Sequence, residues 1–398
     1  MDKIIYLDNN ATTKVDEQVL EAMLPFLKEE YANPSSIYDF AKTPAKAINK
    51  ARGQVKDFLN AESEKQIIFT ASGSESANMA IRGVLNSNKS KKRIITSKVE
   101  HPCVLNLFQA LEKEGYKIDY INVNSKGELD LAQLEESIDY DTALISIMHA
   151  NNETGVIFPI EEISEIIKCK NPETKFHVDA VQTAGKIPLD VKSLGVDLLT
   201  ISGHKFHAPK GIGVLYVNPR TVITPLIIGG HQERGKRAGT ENVPYIIGIG
   251  RAAEIATDNL KYEATEVKRL RDKLEANILK SVFNSRLNTG MINRVPNTSN
   301  IGFEYIEGEL ILLHLSDLGI CASSGSACTS GSLEPSHVLR AMNVPFTSIH
   351  GSIRFSLSKY TTEEEIDYVS DNIPSIIEKL TNLSPFQDEL EALRKLKS

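Results

Sequence analysis

Short apolar runs alternate with amphipathic helical patterns from about residue 45 to residue 220. The apolar runs are QIIFTA, RIITSKV, KIDYINV, TALISIMHA, TKFHVDAV, DLLTIS and GIGVLYV, and the helical stretches include AKAINKARGQVKDFL, SANMAIRGVL, VLNLFQALEKEGY and PIEEISEIIKC. This alternation predicts a mostly parallel sheet that is covered by helices on both faces. Such sheets bind ligands beyond the carboxyl ends of their strands, so the polar residues directly after the strands are the candidates for a site.

The pattern changes after about residue 260. A long charged helix, EVKRLRDKLEANILKSV, is followed by short strands in NTSNIGFEYI and SIRFSLS and by a segment that opens with a capping box, Thr362 with Glu365. We therefore predict an α/β fold with two parts. Residues 15–260 would form a large cofactor-binding domain, and residues 1–14 with 261–398 would form a smaller α+β domain.

Composition narrows the class of protein. The chain has 398 residues, of which 41% are apolar and 24% charged, and its net charge is −7. An acidic chain of ordinary composition argues against nucleic acid or a membrane surface as a partner. The sequence has no apolar run as long as a membrane span, and its first residues, MDKIIYLDNNATT, do not resemble a signal peptide. We expect a cytoplasmic protein.

The first strand-end segment is FTASGSESANMAIRG. A strand leads through a turn into a helix, and Ser72 with Glu75 predicts a capping box that leaves the N–H groups of Gly73 and Ser74 available to an anion. The segment is neither a Walker A loop nor a GxGxxG motif. From this segment alone, a capped helix that binds nothing is the favoured interpretation.

Two further segments place polar residues after buried strands. TKFHVDAVQ ends in Asp179, with Gln182 three residues later, and DLLTISGHKFHAPKG leads through Ser202 and His204 to Lys205. A lysine directly after an apolar strand is a candidate Schiff-base amine, because burial lowers the pKa of its ammonium. A surface cap or salt bridge for Asp179 and a solvated surface position for Lys205 remain the alternatives.

Four cysteines are present: Cys103, Cys169, Cys321 and Cys328. None forms a CxxC pair, so neither a zinc cage nor a thioredoxin-type redox pair is predicted. Cys328 lies in a stretch of small residues, ASSGSACTSGS, which favours an accessible and nucleophilic thiol over a buried structural one. Cys321 borders an apolar strand and is predicted to be structural.

Taken together, these segments resemble the cysteine desulfurases, the NifS/IscS-like branch of the class V aminotransferase group. The resemblance extends from YLDNNATT to HGSIRFSLSKYTTEEEID, and its order of landmarks is more specific than any one of them. The landmarks are NPSS, SGSES, VEHP, NNETG, HVDAVQ, SGHK, HQERGKRAGTEN, SSGSACTSGSLEPSHV and SIRFSLS. The resemblance implies the fold type I of pyridoxal-phosphate transferases.

It also implies a role for each candidate residue. Lys205, His101 and Cys328 would be catalytic: Lys205 would hold the cofactor aldehyde and move the Cα proton, His101 would assist, and Cys328 would take the sulfur. The residues expected to bind pyridoxal 5'-phosphate are Gly73, Ser74, His101, Asn152, Asp179, Gln182, Ser202, His204, Lys205 and Thr240. Asn33, Asn152 and Arg354 would bind the substrate, with Arg354 clamping its carboxylate. No metal is expected.

The implied reaction converts L-cysteine to L-alanine and leaves the sulfur on Cys328 as a persulfide. The partners would be L-cysteine, a NifU/IscU-like iron–sulfur scaffold protein or another sulfur acceptor, and a second copy of the chain. Thr240 would reach the phosphate of the neighbouring subunit, which makes the protein a homodimer.

Three alternatives stay open at this point. An aminotransferase or a selenocysteine lyase of the same fold would have no essential nucleophile at Cys328. A non-catalytic scaffold would have lost the chemistry, although Lys205, Asp179, His101 and Cys328 are all present. A metal-binding module built on His204 and His207 has no third ligand at a suitable spacing.

Overall fold

The structure, a computed structural model, describes residues 4–290, 293–324 and 335–397. The strands are β1 (Ile5–Tyr6), β2 (Ile67–Thr70), β3 (Arg93–Ser97), β4 (Lys117–Ile121), β5 (Thr142–Met148), β6 (Lys175–Asp179), β7 (Leu198–Ser202), β8 (Gly213–Val217), β9 (Ser285–Leu287), β10 (Thr298–Phe303), β11 (Ile320–Cys321), β12 (Ser323–Ser324) and β13 (Ser352–Ser356). The helices are α1 (Glu17–Lys28), α2 (Lys42–Phe58), α3 (Gly73–Ser87), α4 (Pro102–Lys113), α5 (Leu131–Ser137), α6 (Ile160–Lys170), α7 (Val243–Tyr262), α8 (Lys268–Ser281), α9 (Gly308–Asp317), α10 (His337–Ala341), α11 (Phe346–Ile349), α12 (Glu363–Leu383) and α13 (Gln387–Lys397). Within the described ranges, no helix combines the length and the apolar character of a membrane span.

A seven-stranded sheet forms the centre of the molecule, in the order β2-β8-β7-β6-β5-β3-β4. Strands β4, β3, β5, β6 and β7 run parallel to one another, and β8 runs antiparallel to both β7 and β2. Because consecutive parallel strands are joined through helices, their carboxyl ends meet at one edge of the sheet. The predicted α/β fold with a mostly parallel, helix-covered sheet is confirmed.

The two faces of this sheet support separate hydrophobic clusters. In three of the central strands, one residue faces one cluster and the next faces the other: Ile94 and Ile95, Leu144 and Ile145, Leu198 and Leu199. The first cluster also contains apolar residues of α1, α2 and α7, and the second contains those of α3 and α4. The strands therefore read as continuous apolar runs because both of their faces are buried.

A four-stranded antiparallel sheet, β12-β13-β10-β9, follows later in the chain. Together with α8, α9 and α12 it encloses a third cluster, and Ile5 and Leu7 from the N-terminus belong to the same cluster. Strand β1 pairs in parallel with β11. The predicted capping box of α12, Thr362 with Glu365, is present. Apolar residues of α10 and α11 pack instead on the first cluster of the large sheet, and the division at residue 260 stays a prediction.

Candidate active site

A cavity of about 290 Å³ lies at the carboxyl ends of the central parallel strands. The ends of β5, β6 and β7 contribute Met148, Asp179 and Ser202, and the N-termini of α3 and α4 contribute the rest of one wall. The lining residues are Ala11, Ser72, Gly73, Ser74, His101, Cys103, Met148, Ala150, Asn152, Asp179, Val181, Gln182, Ser202, His204 and Lys205. The structure therefore brings nine of the predicted site residues into one cavity: Gly73, Ser74, His101, Asn152, Asp179, Gln182, Ser202, His204 and Lys205.

Lys205 ends a short 3₁₀ turn, Gly203–Lys205, that directly follows β7. Its ammonium donates hydrogen bonds to the backbone carbonyls of Asn10 (2.6 Å) and Ala11 (2.9 Å). Both acceptors come from the N-terminal segment, about two hundred positions away along the chain. Two carbonyl acceptors orient the amine at the cavity wall, where an aldehyde-bearing ligand can reach it.

Asp179 is the last residue of β6, and its carboxyl group accepts the N–H of Val181 (3.0 Å). Burial raises the pKa of this carboxyl to about 6, while the Val181 N–H and the positive charge of Lys205 act to lower it. A carboxylate held in this way favours a cationic partner, because a nearby positive charge offsets the cost of its burial.

His101 caps the N-terminus of α4, where its Nδ1 accepts the N–H of Cys103 (3.2 Å). Burial, followed by the positive charges of Lys205 and His337, lowers the pKa of His101 to about 4. The imidazole is therefore neutral near pH 7, and because Nδ1 is an acceptor, its proton lies on Nε2.

The N-terminus of α3 forms the anion side of the cavity. Ser72 accepts the N–H of Glu75 (3.1 Å) as predicted, but the Glu75 carboxylate binds the N–H of Ala71 and the guanidinium of Arg237, so the capping box is not reciprocal. A Cβ on Gly73 would lie 3.2 Å from the Cβ of Ser202 and 3.1 Å from Val181. A side chain at position 73 would therefore crowd Val181 and Ser202, whereas glycine leaves the backbone N–H groups at this helix terminus open to an anion.

Gln182 and Asn152 close the cavity from the strand ends. Gln182 donates to the carbonyl of Asn10 (3.2 Å), and its own buried Oε1 has no hydrogen-bond partner in the described part of the chain. The carbonyl of Asn152 accepts from the Asn10 amide (3.2 Å) and from Arg354 (3.0 Å). His204, with a pKa lowered to about 4 mainly by burial, is hydrogen-bonded to Thr12 (3.1 Å).

Three predicted residues do not line this cavity. Arg354 lies next to it on β13, buried, with one guanidinium nitrogen on the Asn152 carbonyl and another on the carboxylate of Asp8 (2.7 Å). Asn33 is exposed and accepts the N–H of Ser35. Thr240 lines a different cavity of about 190 Å³, together with Arg237.

Cys328 lies outside the described residues, but the residues on both sides of that gap are described. Before it, Ser323 of β12 pairs with Arg354 of β13. After it, Ser336 caps α10 and donates to the carboxylate of Glu153 (2.6 Å), and His337 is hydrogen-bonded to the carbonyl of Glu100 (3.0 Å). Both flanks of residues 325–334 are therefore attached to residues next to the cavity.

Sequence reasoning missed two buried carboxyls beside the predicted residues. Glu100 precedes His101, accepts from the Ser97 hydroxyl (2.6 Å) and the Met148 N–H (3.0 Å), and has a pKa raised to about 8, mainly by burial. Glu153 follows Asn152, and burial raises its pKa to about 7. Both lie in the segments that follow β3 and β5, three and five residues after the strand ends, so the available signal was weaker than the one that identified Asp179 at the end of its strand.

The described residues contain no group of three or more His, Cys, Asp or Glu side chains arranged to hold a metal ion. The titratable groups of the cavity are one lysine, one carboxyl, two imidazoles and the Cys103 thiol, whose pKa burial raises, around an anion-binding helix terminus. This set is suited to attaching a carbonyl compound, protonating or deprotonating it, and holding a negatively charged group.

Comparisons with known proteins agree with this geometry. Residues 5–369 match the model of the family described as aminotransferase class V. A cysteine desulfurase of Nostoc sp. is 56% identical over 386 residues, covering 97% of this chain and 96% of its own, and the cysteine desulfurase NifS of Azotobacter vinelandii is 52% identical over 382 residues, covering 96% and 94%.

Solved structures give the same relationship. A structure described as a NifS-like protein superposes with a TM-score of 0.90 at 42% identity, covering 95% of this chain and all of its own. A structure of SspA in complex with cysteine is 35% identical with a TM-score of 0.78, covering 90% of this chain and all of its own. The chain belongs to the class V aminotransferase family and, within it, to the NifS-like cysteine desulfurases.

Proposed function

We propose that this chain is a pyridoxal-phosphate-dependent enzyme that converts L-cysteine to L-alanine and transfers the sulfur to Cys328 as a persulfide. The class V aminotransferases are generally pyridoxal-phosphate enzymes, and the relatives above are named as cysteine desulfurases. The observation that carries the proposal is the single cavity in which the Lys205 amine, the Asp179 carboxyl and the N-terminus of α3 meet.

The residues of the cavity fit the phosphate group, the ring nitrogen and the remaining ring atoms of pyridoxal phosphate. The phosphate fits the N-terminus of α3, where Gly73 leaves room for a close approach and Ser74, Ser202 and His204 supply polar groups. Asp179 would pair with the ring nitrogen and favour its protonated form. The unpartnered Oε1 of Gln182 and the Asn152 side chain would contact the rest of the ring.

Lys205 is the residue proposed to hold the cofactor and to move the Cα proton. When bound, pyridoxal phosphate supplies an aldehyde for amine attachment and an electron sink for the charge that develops on the substrate Cα. As a neutral amine, Lys205 would serve as the base that takes the proton from the substrate Cα. The neutral His101, with its proton on Nε2, can donate a hydrogen bond from the opposite wall.

Arg354 and Asn33 are proposed to bind the substrate carboxylate together with Asn152. The guanidinium of Arg354 is only 5% exposed, and its Nε has no partner in the described part of the chain. A carboxylate bound there would share the guanidinium with Asp8, since Asp8 already holds one terminal nitrogen. Charge-assisted hydrogen bonds of this kind fix the orientation of the substrate.

The sulfur transfer step uses Cys328. Its thiolate attacks the substrate sulfur, the new S–S bond forms as the C–S bond of the substrate breaks, and the carbon skeleton takes up a proton and leaves as L-alanine. The persulfide is then passed to an acceptor, proposed to be a NifU/IscU-like iron–sulfur scaffold or another sulfur-accepting protein. The cytoplasmic location expected from the sequence stays a prediction.

The proposed active form is a homodimer. Thr240 is exposed and lines a cavity that does not contain Lys205, which is compatible with its predicted role at the phosphate of a neighbouring subunit. The nearby segment of residues 222–228 exposes apolar side chains, with Val222 at 72% and Ile228 at 85%. Exposed apolar side chains of this kind are typical of surfaces that a second subunit covers.

The decisive experiment incubates the wild-type protein and Cys328→Ala with L-cysteine. We expect the wild type to form alanine and a persulfide on the Cys328 peptide, detected by mass spectrometry, and the variant to form neither. Cys169→Ala is the matched control, because Cys169 is an exposed thiol on α6 and should leave both products unchanged. Alanine formed at the wild-type rate by Cys328→Ala would overturn the sulfur-transfer mechanism.

A further inference from the structure

A second cavity, of about 20 Å³, also has Lys205 in its wall. Its volume has room for about one water molecule. The titratable and charged groups that line it are Asp16, Lys186, Lys205, His207, Glu263 and Lys359. Lys186 and Glu263 have no part in the function proposed above, and charged side chains are rarely buried without a partner.

Lys186 approaches the backbone of Lys205 through a tight turn. Gly185 has φ +76°, and a Cβ at this position would lie 2.7 Å from the Cβ of Phe206, the residue after Lys205. Only glycine therefore permits this close packing. Lys186 is 6% exposed, and its ammonium donates to the carbonyl oxygen of Lys205 at 3.3 Å.

Glu263 brings the opposite charge from a different part of the chain. It is the first residue of a π-helical turn, Glu263–Val267, between α7 and α8, and it is 5% exposed. Such turns insert one extra residue into a helix and are frequent at functional sites. Its Oε2 is buried without a hydrogen-bond partner, and in the described part of the chain it forms no direct ion pair with Lys186.

The other charged groups of the cavity are already paired. Asp16 accepts from Lys359 and from the Tyr360 hydroxyl (2.6 Å). His207 is hydrogen-bonded to the carbonyl of Lys14, and burial lowers its pKa to about 4, so it is neutral near pH 7. Lys205 donates to the carbonyls of Asn10 and Ala11. Lys186 and Glu263 are therefore the oppositely charged groups that remain across the cavity.

The pKa shifts of Lys186 and Glu263 indicate that each group is affected by the charge of the other. Burial lowers the pKa of Lys186 to about 8, and the charge of Glu263 acts against this. Burial raises the pKa of Glu263 to about 7, and the charges of Lys186 and Lys359 act against this. A water molecule between them would accept from the ammonium and donate to the orphaned carboxylate oxygen, which satisfies both groups.

We propose that Lys186 and Glu263 form a water-bridged, buried charge pair that positions the backbone of Lys205 and thereby the orientation of its amine. The inference rests on the proposed role of Lys205 as the cofactor-holding lysine. Lys186 and Glu263 are positioning residues, because they act through Lys205. The pair connects Lys205 to the π-helical turn, which leads into α8 and the third hydrophobic cluster.

The pair is tested first in cofactor-free protein by a double-mutant cycle of Lys186→Met and Glu263→Gln. Each single variant leaves one buried charge unpartnered, whereas the double variant leaves none. We expect the unfolding equilibrium constants to show a coupling of about tenfold or more between the two sites. If the effects of the two substitutions on the unfolding equilibrium constant are additive, Lys186 and Glu263 do not form a pair. This readout does not depend on the proposed function.

Positioning is tested in the cofactor-loaded protein by the pH titration of its absorbance without substrate. Lys186→Met removes a positive charge near the Lys205 nitrogen and should raise the apparent pKa of that titration by about 0.5 or more. Glu263→Gln should lower it, and the double variant should return towards the wild-type value. Loss of stability by itself would not produce shifts of opposite sign.

Lys175→Met is the control, because it breaks a half-exposed pair with Asp197 that does not line the cavity, and it should leave the titration unchanged. Shifts in the same direction for Lys186→Met and Glu263→Gln, or no shifts, would overturn the positioning role. If the wild-type protein shows no absorbance band from bound pyridoxal phosphate, the proposed function is wrong. The double-mutant cycle in cofactor-free protein still decides whether Lys186 and Glu263 form a pair.

Discussion

At the level of single residues, the burial of the Asp179 carboxyl is proposed to serve cofactor binding but to lower the stability of the cofactor-free protein. This carboxyl is fully buried, and its pKa of about 6 lies above the ordinary value because burial outweighs the Val181 N–H and the Lys205 charge. The protonated ring nitrogen of bound pyridoxal phosphate would offset the free-energy cost of ionising this buried carboxyl. In the cofactor-free protein this cost is uncompensated, so the residue is expected to destabilise the fold near neutral pH.

The sign of the effect follows from the raised pKa. The ordinary pKa of an aspartate is about 3.9, so between about pH 4 and pH 6 the folded protein binds a proton that the unfolded chain has lost. The stability contributed by this proton is complete below pH 4 and is lost as pH rises through 6, by about 3 kcal/mol in total.

We therefore predict that Asp179→Asn stabilises the cofactor-free protein at pH 7 by up to about 3 kcal/mol and removes this part of its pH dependence. The same variant should lower kcat about 10²-fold or more, because the ring would lose its charged partner. Chemical unfolding between pH 4 and 8 and steady-state kinetics measure the two effects. Equal stability of variant and wild type at pH 7 would contradict the prediction.

At the level of elements, the N-terminus of α3 combines a structural cap with a predicted phosphate site. Both serines line the cavity, but the Ser72 hydroxyl accepts the N–H of Glu75 and so contributes to helix stability, whereas Ser74 is exposed on the first turn. The two serines are two positions apart, yet they are expected to respond differently to substitution.

Ser72→Ala should destabilise the cofactor-free protein by about 1 kcal/mol through loss of the cap. Ser74→Ala should change its stability by no more than about 0.5 kcal/mol. It should weaken pyridoxal phosphate binding about tenfold, because one hydrogen bond to a charged group is lost. Thermal unfolding and cofactor titration separate the two variants. A Ser74→Ala protein that binds the cofactor with wild-type affinity would argue against a phosphate at this terminus.

At the level of the whole molecule, the ten predicted cofactor-binding residues line two cavities. Nine line the cavity at the sheet edge with Lys205, and Thr240 lines another with Arg237. If both sets bind one cofactor, each complete site combines residues of two subunits, and a single chain would be inactive.

Mixed dimers test this arrangement. The cofactor concentration is kept too low for the Thr240→Ala protein to bind pyridoxal phosphate. Under this condition, the Lys205→Ala and Thr240→Ala proteins should each be inactive. A hybrid dimer holds one intact site, formed by Lys205 of one subunit and Thr240 of the other. After random subunit exchange at equal amounts, about half of the dimers are hybrids, so about a quarter of wild-type activity should return.

The matched control exchanges wild-type subunits with a chain that carries both substitutions. That hybrid has no intact site, because each of its two sites lacks either Lys205 or Thr240. Lack of recovery in the first mixture, with subunit exchange verified by mass spectrometry, would mean that Thr240 acts within its own chain or has no role in the site.

The sequence alone determined the elements and most of the cavity. Strands such as β5 and β7 are mostly apolar runs that are buried on both faces, and local periodicity is enough to predict a helix-covered sheet whose strand ends carry Asp179 and Lys205. These signals are short-range, since they depend on residues within one or two turns or along one strand.

Only the tertiary structure decided which distant residues complete the site. The acceptors of the Lys205 ammonium lie 195 and 194 positions away, at Asn10 and Ala11, and Arg237 draws the Glu75 carboxylate out of the predicted capping box. Lys186 and Glu263 line one cavity, and they follow a glycine turn and begin a π-helical turn that no periodicity predicts. The physical reason is that burial and long-range charge set the partners and pKa values of these groups, and both exist only after the chain has folded.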